Sequence, residues 1–354
     1  MLKHSVLARR RLHAMMLSVF VVLLVAVLSP MVAVGKQATP GATPAATPSF
    51  GTGLEGAVQW LLSQEADDGG FLGFSGKTDP GATADAVIAL GAARKTGIDV
   101  KLSNAVGYLA TNANTYAQSG TGQAAKLALA MIAAGENPRD AGGVDPLALV
   151  EHGQREDTGI YGTGIFDHAL CIMALAASGQ SVPPSAIDAL KTTQIKDGSW
   201  AFDARDVVGS GDTNTTAVVI QALVIAGHGQ DPTINKALEY LKTAQANDGA
   251  FGYQPAQPLV PDANSTALVV QAIIAAGQHP ASAEWKNASG ALSAFQRPTG
   301  AFFYNEQQAG DNLFATVQAI PAIAGQALPI MAKSSKQATP MASPAAFTLD
   351  LITA

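Results

Sequence analysis

One piece of wording recurs along this chain and limits what it can fold into. It reads as an apolar residue, three residues, glutamine, a short turn, glycine, one residue, then an aromatic. Trp60, Gln64, Gly69 and Phe71 spell it first, and Val150, Gln154, Gly159 and Tyr161 follow. Leu190, Gln194, Gly198 and Trp200 repeat it, then Leu241, Gln245, Gly249 and Phe251, then Leu292, Gln296, Gly300 and Phe302. The segment from Leu102 to Gly120 is a degenerate sixth copy. Each copy precedes an Ala-rich apolar segment that ends at glycine: 84–97, 124–135, 168–179, 216–227, 266–277 and 314–325. A period of about 45 residues holds two helices and two loops, the mark of a repeat architecture.

The pattern has local causes. Apolar residues recur at helical spacing in both members of each pair. Glycine after the last turn supplies a left-handed cap, and Asp-Gly at 68–69, 197–198 and 248–249 makes a tight turn rather than a metal site. A single helical hairpin cannot bury its own apolar face, so neighbours must stack. The second helices carry few charges, which suits an inner ring covered by an outer one. The expected fold is therefore all-α, an α/α toroid (α6/α6 barrel) of six helical hairpins over residues 53–328. An open superhelix shares the same signature, since closure is not written in the repeat.

The flanks read differently. Arg9, Arg10 and Arg11 precede an apolar run from Ala14 to Leu28, extended by Met31 to Val34, so residues 1–35 are expected to be a signal peptide or an N-terminal anchor. Cleavage near Ala33-Val34-Gly35 gives a secreted protein, and retention gives a membrane tether. Residues 36–52, rich in Ala, Thr and Pro, form a linker, and Lys336-Gln337-Ala338-Thr339-Pro340 repeats that wording in a low-complexity tail over 329–354. Net charge is −6, and the remainder carries −10 once the four cations of the first 35 residues are set aside. No basic stripe remains, which excludes nucleic acid as a partner. The lone cysteine, Cys171, forms no internal disulfide and reads as a helix-core residue.

On these residues the chain resembles the terpenoid cyclase and prenyltransferase α/α-toroid superfamily, with Leu190 to Trp200 similar to its QW repeat and five such copies in register. The resemblance implies that Gln64, Gln194, Gln245 and their aromatics are structural. Asp212-Thr213-Asn214-Thr215-Thr216-Ala217 resembles the Asp-x-Asp-Asp-Thr-Ala segment of squalene-hopene-type cyclases, whose middle Asp protonates an alkene. Asn214 and Thr215 replace the acids here, and Asp262-Ala263-Asn264-Ser265-Thr266-Ala267 departs in the same way. An amide holds no transferable proton at a useful pKa, so proton-initiated cyclisation is not expected. The zinc of protein prenyltransferases needs an Asp, Cys and His set, whereas His168 and Cys171 at i, i+3 give only two ligands. The Gly-Cys-Gly-Glu-Gln segment of complement-type thioester domains is absent. A transcobalamin-like carrier needs a second, β-rich domain, which the roughly thirty residues after Gly325 do not supply and a separate partner chain could.

The remaining chemistry gathers where second helices begin. Asp212, Asn214, Asp262, Asn264, Asp311 and Asn312 fall at one common rim if the toroid holds. Two roles fit them: capping the free amides of a first turn, or a polar ring at a cavity mouth. Asn214-Thr215-Thr216, Asn264-Ser265-Thr266 and Asn287-Ala288-Ser289 also match glycosylation acceptors. Asp203 and Asp206 sit in a long loop as a solvated pair, a cation-binding pair or an acid/base pair. His152, His168, His228 and His279 lack a nucleophile motif, and no metal or cofactor is expected. Three readings follow: an exported non-catalytic module for a small apolar ligand, an enzyme on isoprenoid or lipid-like substrates with a displaced site, and a surface scaffold for a partner protein.

Overall fold

The computed structural model describes residues 49–332. The export segment 1–35, most of the 36–52 linker and the tail from 333 onward lie outside the described residues. Twelve α-helices follow one another there. In chain order they are α1 (Gly53–Leu62), α2 (Pro80–Thr96), α3 (Ser103–Gln118), α4 (Thr121–Ala134), α5 (Pro146–Glu151) and α6 (Ile165–Ala177). Next come α7 (Pro184–Thr192), α8 (Thr213–Leu223), α9 (Pro232–Thr243), α10 (Ala263–Ala275), α11 (Ala288–Ser293) and α12 (Leu313–Ile323). Two short antiparallel strands, β1 (Phe71–Leu72) and β2 (Thr78–Asp79), join α1 to α2. The even-numbered helices pack each on the next, from α2 on α4 through to α10 on α12, and α12 packs in turn on α2. Long runs of these inner helices are buried, as in Ala86 to Ala93 and Ala169 to Leu175. The odd-numbered helices lie against them from outside.

The inner helices begin earlier than the apolar segments alone suggest. In α8 the first helical residue is Thr213, three before Thr216. The reason is capping: Asp79, Asp212, Asp262 and Asn312 each accept the amide hydrogen three residues on, satisfying a donor that the first turn leaves free. The polar wording that precedes each apolar run is therefore helix, not loop.

The recurrent Gln–Gly–aromatic wording joins neighbouring repeats. Gln194 donates to its own turn at the Gly198 carbonyl and to Thr233 at the start of α9. Gln245 reaches Gly249 and Trp285, and Gln154 reaches Gly159 and Ser185. Gln296 bonds Gly300 and also returns to Gly53 at the start of α1, donating to its carbonyl at 2.9 Å and accepting its amide at 2.6 Å. Gln64 departs from the rule and stays within its own helix end. The pattern glycine meets two demands at once. Gly198 has φ +93°, and a Cβ there would collide with the Lys236 carbonyl of α9; Gly300, at +92°, stands in the same way against Gly56 of α1. Asp68, Asp197 and Asp248 close their turns by accepting the amide two residues on.

A threonine locks four of these turns to the following inner helix. The hydroxyls of Thr83, Thr216, Thr266 and Thr316 accept the amides of Phe71, Trp200, Phe251 and Phe302. In α6 a histidine takes this place: His168 Nδ1 accepts from Tyr161 N–H at 3.0 Å, so Nε2 carries the hydrogen and donates to the Ala186 carbonyl. Burial lowers its pKa to about 4, keeping the ring neutral. Both nitrogens are thus engaged, and none is left for a metal shared with the buried Cys171.

Past α12 the chain crosses the ends of the inner helices as a strap. Leu328 N–H donates to Gln221 of α8, Ile330 is buried in the core, and Ala332 reaches Gly135 at the end of α4. The packed body thus includes Ile330 at one end, and at the other Ser49 and Gly51, both bonded to the Pro298 carbonyl.

Candidate binding site at the mouth of the inner ring

The locking bonds orient α2, α6, α8, α10 and α12, and the same register carried to α4 places Gly122 and Lys126 alongside. These bonds point outward to the aromatic turns, so the opposite face lies half a turn away, about 1.8 residues up or down the helix. Two residues before the locking position lies a first layer of Gly81, Gly122, Phe166, Asn214, Asn264 and Phe314. Two residues after it lies a second layer of Asp85, Lys126, Leu170, Val218, Leu268 and Gln318. One further turn gives Ile88, Leu129, Met173, Gln221, Gln271 and Pro321. Exposure falls with depth. Phe166, Asn214, Asn264 and Phe314 are half-buried, as are Asp85, Lys126 and Gln318, while Leu170, Val218 and Leu268 and the whole third layer are buried. Accessible surface along the inner helices is thus confined to a shallow mouth where they begin, with buried layers below and the strap beyond.

The second layer has two unlike halves. Leu170, Val218 and Leu268 on α6, α8 and α10 form an apolar arc, and Gln318, Asp85 and Lys126 on α12, α2 and α4 form a polar one. Lys126 Nζ lies 3.0 Å from Asp85, and the pair keeps 26% and 17% of its side-chain surface accessible. Above the pair the first layer has only Gly81 and Gly122, where a Cβ would meet Asp79, the Tyr116 hydroxyl and the Asp167 carboxylate. Burial opposes the charge on Lys126, but Asp85 beside it outweighs burial and raises its pKa above the ordinary lysine value. Burial also raises the Tyr116 phenol, which stays protonated.

The residues singled out in the sequence divide among several places. Asp212, Asp262 and Asn312 cap α8, α10 and α12. Asp212 is 1% exposed; its Oδ1 accepts the Thr215 amide at 2.7 Å, and the Tyr253 phenol stands beside the carboxyl. Asp262 uses both oxygens on Ser265. Burial pushes both carboxyls up to about 6. Asn214 and Asn264 are half-buried two residues before Thr216 and Thr266, and Asn264 Oδ1 is buried without a partner. Asp311 turns away to Arg297 and Thr299. Asp203 pairs with Arg205 at 2.7 Å on an exposed loop, and Asp206 is exposed beside it. Sequence reading missed Asp85, Lys126, Tyr116 and Gln318. The available signal was a charge in the middle of an Ala-rich helix, as at Asp85 in α2 and Lys126 in α4.

A concavity of about 720 Å³ lies at the seam between the first and last repeats. Phe50, Trp60, Leu72, Phe74 and Phe314 line it beside Asp311 and Asn312, with Phe74 stacked on Phe314 at 4.0 Å between ring centroids.

No protein-family model matches the chain, and no curated protein matches it. Solved structures do. A type II terpene cyclase from Scytonema aligns at TM-score 0.54 and 15% identity, covering 77% of this chain and 96% of that one. A variant of that cyclase in complex with merosterolic acid A, its product, aligns at TM-score 0.53 and 16% identity over 77% and 95% of the two chains. An inactive variant of an α-1,6-mannanase from Salegentibacter, in complex with α-1,6-mannotriose, aligns at TM-score 0.57 and 10% identity over 78% and 98%. At such identities the likeness establishes the fold, that of the terpenoid-cyclase-like α/α toroids, and no chemistry with it. A sugar-cleaving enzyme and a terpene cyclase share this frame.

Proposed function

We propose that this chain is an exported, non-catalytic module that binds a small apolar molecule in the mouth of a closed six-hairpin barrel. Closure is supported by the packing of α12 on α2 and by the return of Gln296 to Gly53. The observation that carries the binding reading is the shallow mouth where the inner helices begin, with half-buried Phe166, Asn214 and Asn264 above the buried apolar arc of Leu170, Val218 and Leu268. A concave, mostly apolar site with a few placed polar groups is the usual form of a small-molecule pocket. The Scytonema cyclase holds geranylgeranyl dihydroxybenzoate in one of its complexes, and an isoprenoid-like group suits the apolar arc here.

The non-catalytic part rests on the mouth. Asn214 and Asn264 stand half-buried at the mouth, where a proton donor would be needed, while Asp212 and Asp262 are buried as helix caps. Residues 1–35 carry the chain out of the cytoplasm, and the 36–52 linker holds the body clear of the membrane when that segment is retained. A second reading, a scaffold for a partner protein, draws on the exposed Leu72, Phe74, Val207, Val208 and Val260, all in loops that lead into inner helices.

Native mass spectrometry of the chain exported under its own N-terminal segment tests both parts. The expected result is an added small-molecule mass that is lost in Leu268→Trp, whose indole fills the apolar arc. A bare mass in the parent protein, together with capture of a single stoichiometric partner lost in Phe74→Asp, would favour the scaffold instead. The same spectrum reads whether residues 1–35 are removed.

A further inference from the structure

The outer helix α3 differs from its counterparts in what it shows to solvent. It is the longest outer helix, with sixteen residues, and it carries no charged side chain. Lys and Glu are good helix formers for an exposed face, whereas Ser, Asn, Thr and Gly are poor ones. Two rows nevertheless run along this helix at a spacing of four: Ser103, Gly107 and Thr111 in one, Asn104, Tyr108 and Asn112 in the other. Helix formation disfavours that choice, most of all at Gly107, which stands mid-helix with open space where a Cβ would point.

The same rows border an opening. Gln154, Gln194, Gln245 and Gln296 each bond to the next repeat, but Gln64 bonds only within its own helix end. Between the first turn and α3 lies a concavity of about 670 Å³. The residues of both rows line it, together with Asp67, Asp68 and Thr78. Tyr108 is held in place there, because its ring and Thr78 close on Gly70 where a Cβ would collide with both.

The lining defines what fits. The side-chain bonds of Thr111 and Asn112 run back to the helix backbone, at Gly107 and Tyr108, and leave the Thr111 oxygen and the Asn112 carbonyl able to accept. Ser103, Asn104 and Tyr108 add hydroxyl and amide groups that both donate and accept. Among the described residues no cation lines the cleft, and Asp67 and Asp68 repel an anion. Asp68 spends its two oxygens on the Gly70 amide and the Thr78 hydroxyl, which leaves the cleft short of the carboxylate oxygens a divalent cation needs. A neutral molecule dense in hydroxyls matches this set, and one that also has a C–H face matches the Tyr108 ring.

The geometry points to this cleft as a binding site for an uncharged sugar, with one pyranose ring set against Tyr108 and its hydroxyls shared among Asn104, Asn112 and Asp67. The site lies on an outer helix, apart from the mouth, and stands whether or not the mouth holds an apolar molecule.

Amide NMR of the exported chain reads the site at Gly107 and at the side-chain amides of Asn104 and Asn112. The probes are the methyl pyranosides of glucose, galactose, mannose and N-acetylglucosamine, each titrated to millimolar concentration. At least one should move the three signals together and saturably, and glucuronate should not. Tyr108→Ala should weaken that binding about tenfold, the worth of an aromatic contact. Gly107→Gln distinguishes a site from a merely polar surface. Glutamine favours helix over glycine, so this variant should melt at a higher temperature than the parent, yet fill the floor and lose the sugar. Silence of the three signals with all four sugars overturns the proposal, and so does undiminished binding in Gly107→Gln. Movement of the same signals by calcium chloride alone overturns it in favour of a cation site.

Discussion

Replacing Asp212 with asparagine should make the protein more stable at neutral and alkaline pH. The carboxyl of Asp212 is almost wholly buried, with one oxygen on the Thr215 amide and the Tyr253 phenol beside it. Burial pushes its pKa up to about 6, above the value near 4 of an unfolded chain. The folded state therefore holds the proton more tightly than the unfolded one. That contribution is fully present below about pH 4 and is lost as pH rises through 6. Two decades of pH correspond to about 3 kcal/mol, an upper figure for one group. Asparagine keeps the cap, as Asn312 does on α12, and does not ionise. Urea denaturation followed by circular dichroism from pH 4 to 8 reads the outcome. The stability gap between Asp212→Asn and the parent should be near zero at pH 4 and open to about 1–3 kcal/mol at pH 8 in favour of the variant. A gap that stays flat with pH, or a variant less stable at pH 8, would refute the reasoning.

Other substitutions test other links. Gly198→Ala forces a side chain into φ +93° and against the Lys236 carbonyl, and should cost about 3 kcal/mol or prevent folding, read as a drop in Tm. Gln296→Ala removes the bonds that return to Gly53 and should cost about 1–2 kcal/mol, whereas Gln64→Ala, with no bond to another repeat, should cost less than about 0.5 kcal/mol. Asp203→Ala with Asp206→Ala removes only exposed loop charges and should stay within about 0.5 kcal/mol of the parent by the same thermal assay.

The repeat was legible because its residues are dictated by backbone geometry. A left-handed turn pressed against the next helix admits glycine, and a side-chain amide that must donate twice favours glutamine. The same logic made Asp197 and Asp248 readable as turn residues. The start of the inner helices was legible in part, because capping was one of two roles open to Asp212 and Asp262 and only their bonds to the Thr215 and Ser265 amides decide it. Least legible was the axis itself. Apolar periodicity is weak on helices buried on nearly every side, so it does not say which face turns inward. Only the bonds of Thr83, Thr216, Thr266 and Thr316 fix that face. With it fixed, Asn214 and Asn264 fall at the mouth, Asp212 and Asp262 fall into caps, and Asp85 and Lys126 emerge as a pair that lies 41 residues apart in the chain.

The central claim is that the mouth, and not the seam cleft beside Phe74, receives the apolar ligand. Methyl-labelled Leu, Val and Ile side chains allow that to be read directly by NMR during titration with cyclohexanol. The account predicts shifts at Leu170, Val218 and Leu268, with Leu72 and Leu313 unmoved. Shifts confined to Leu72 and Leu313, with Leu170, Val218 and Leu268 silent, would contradict it.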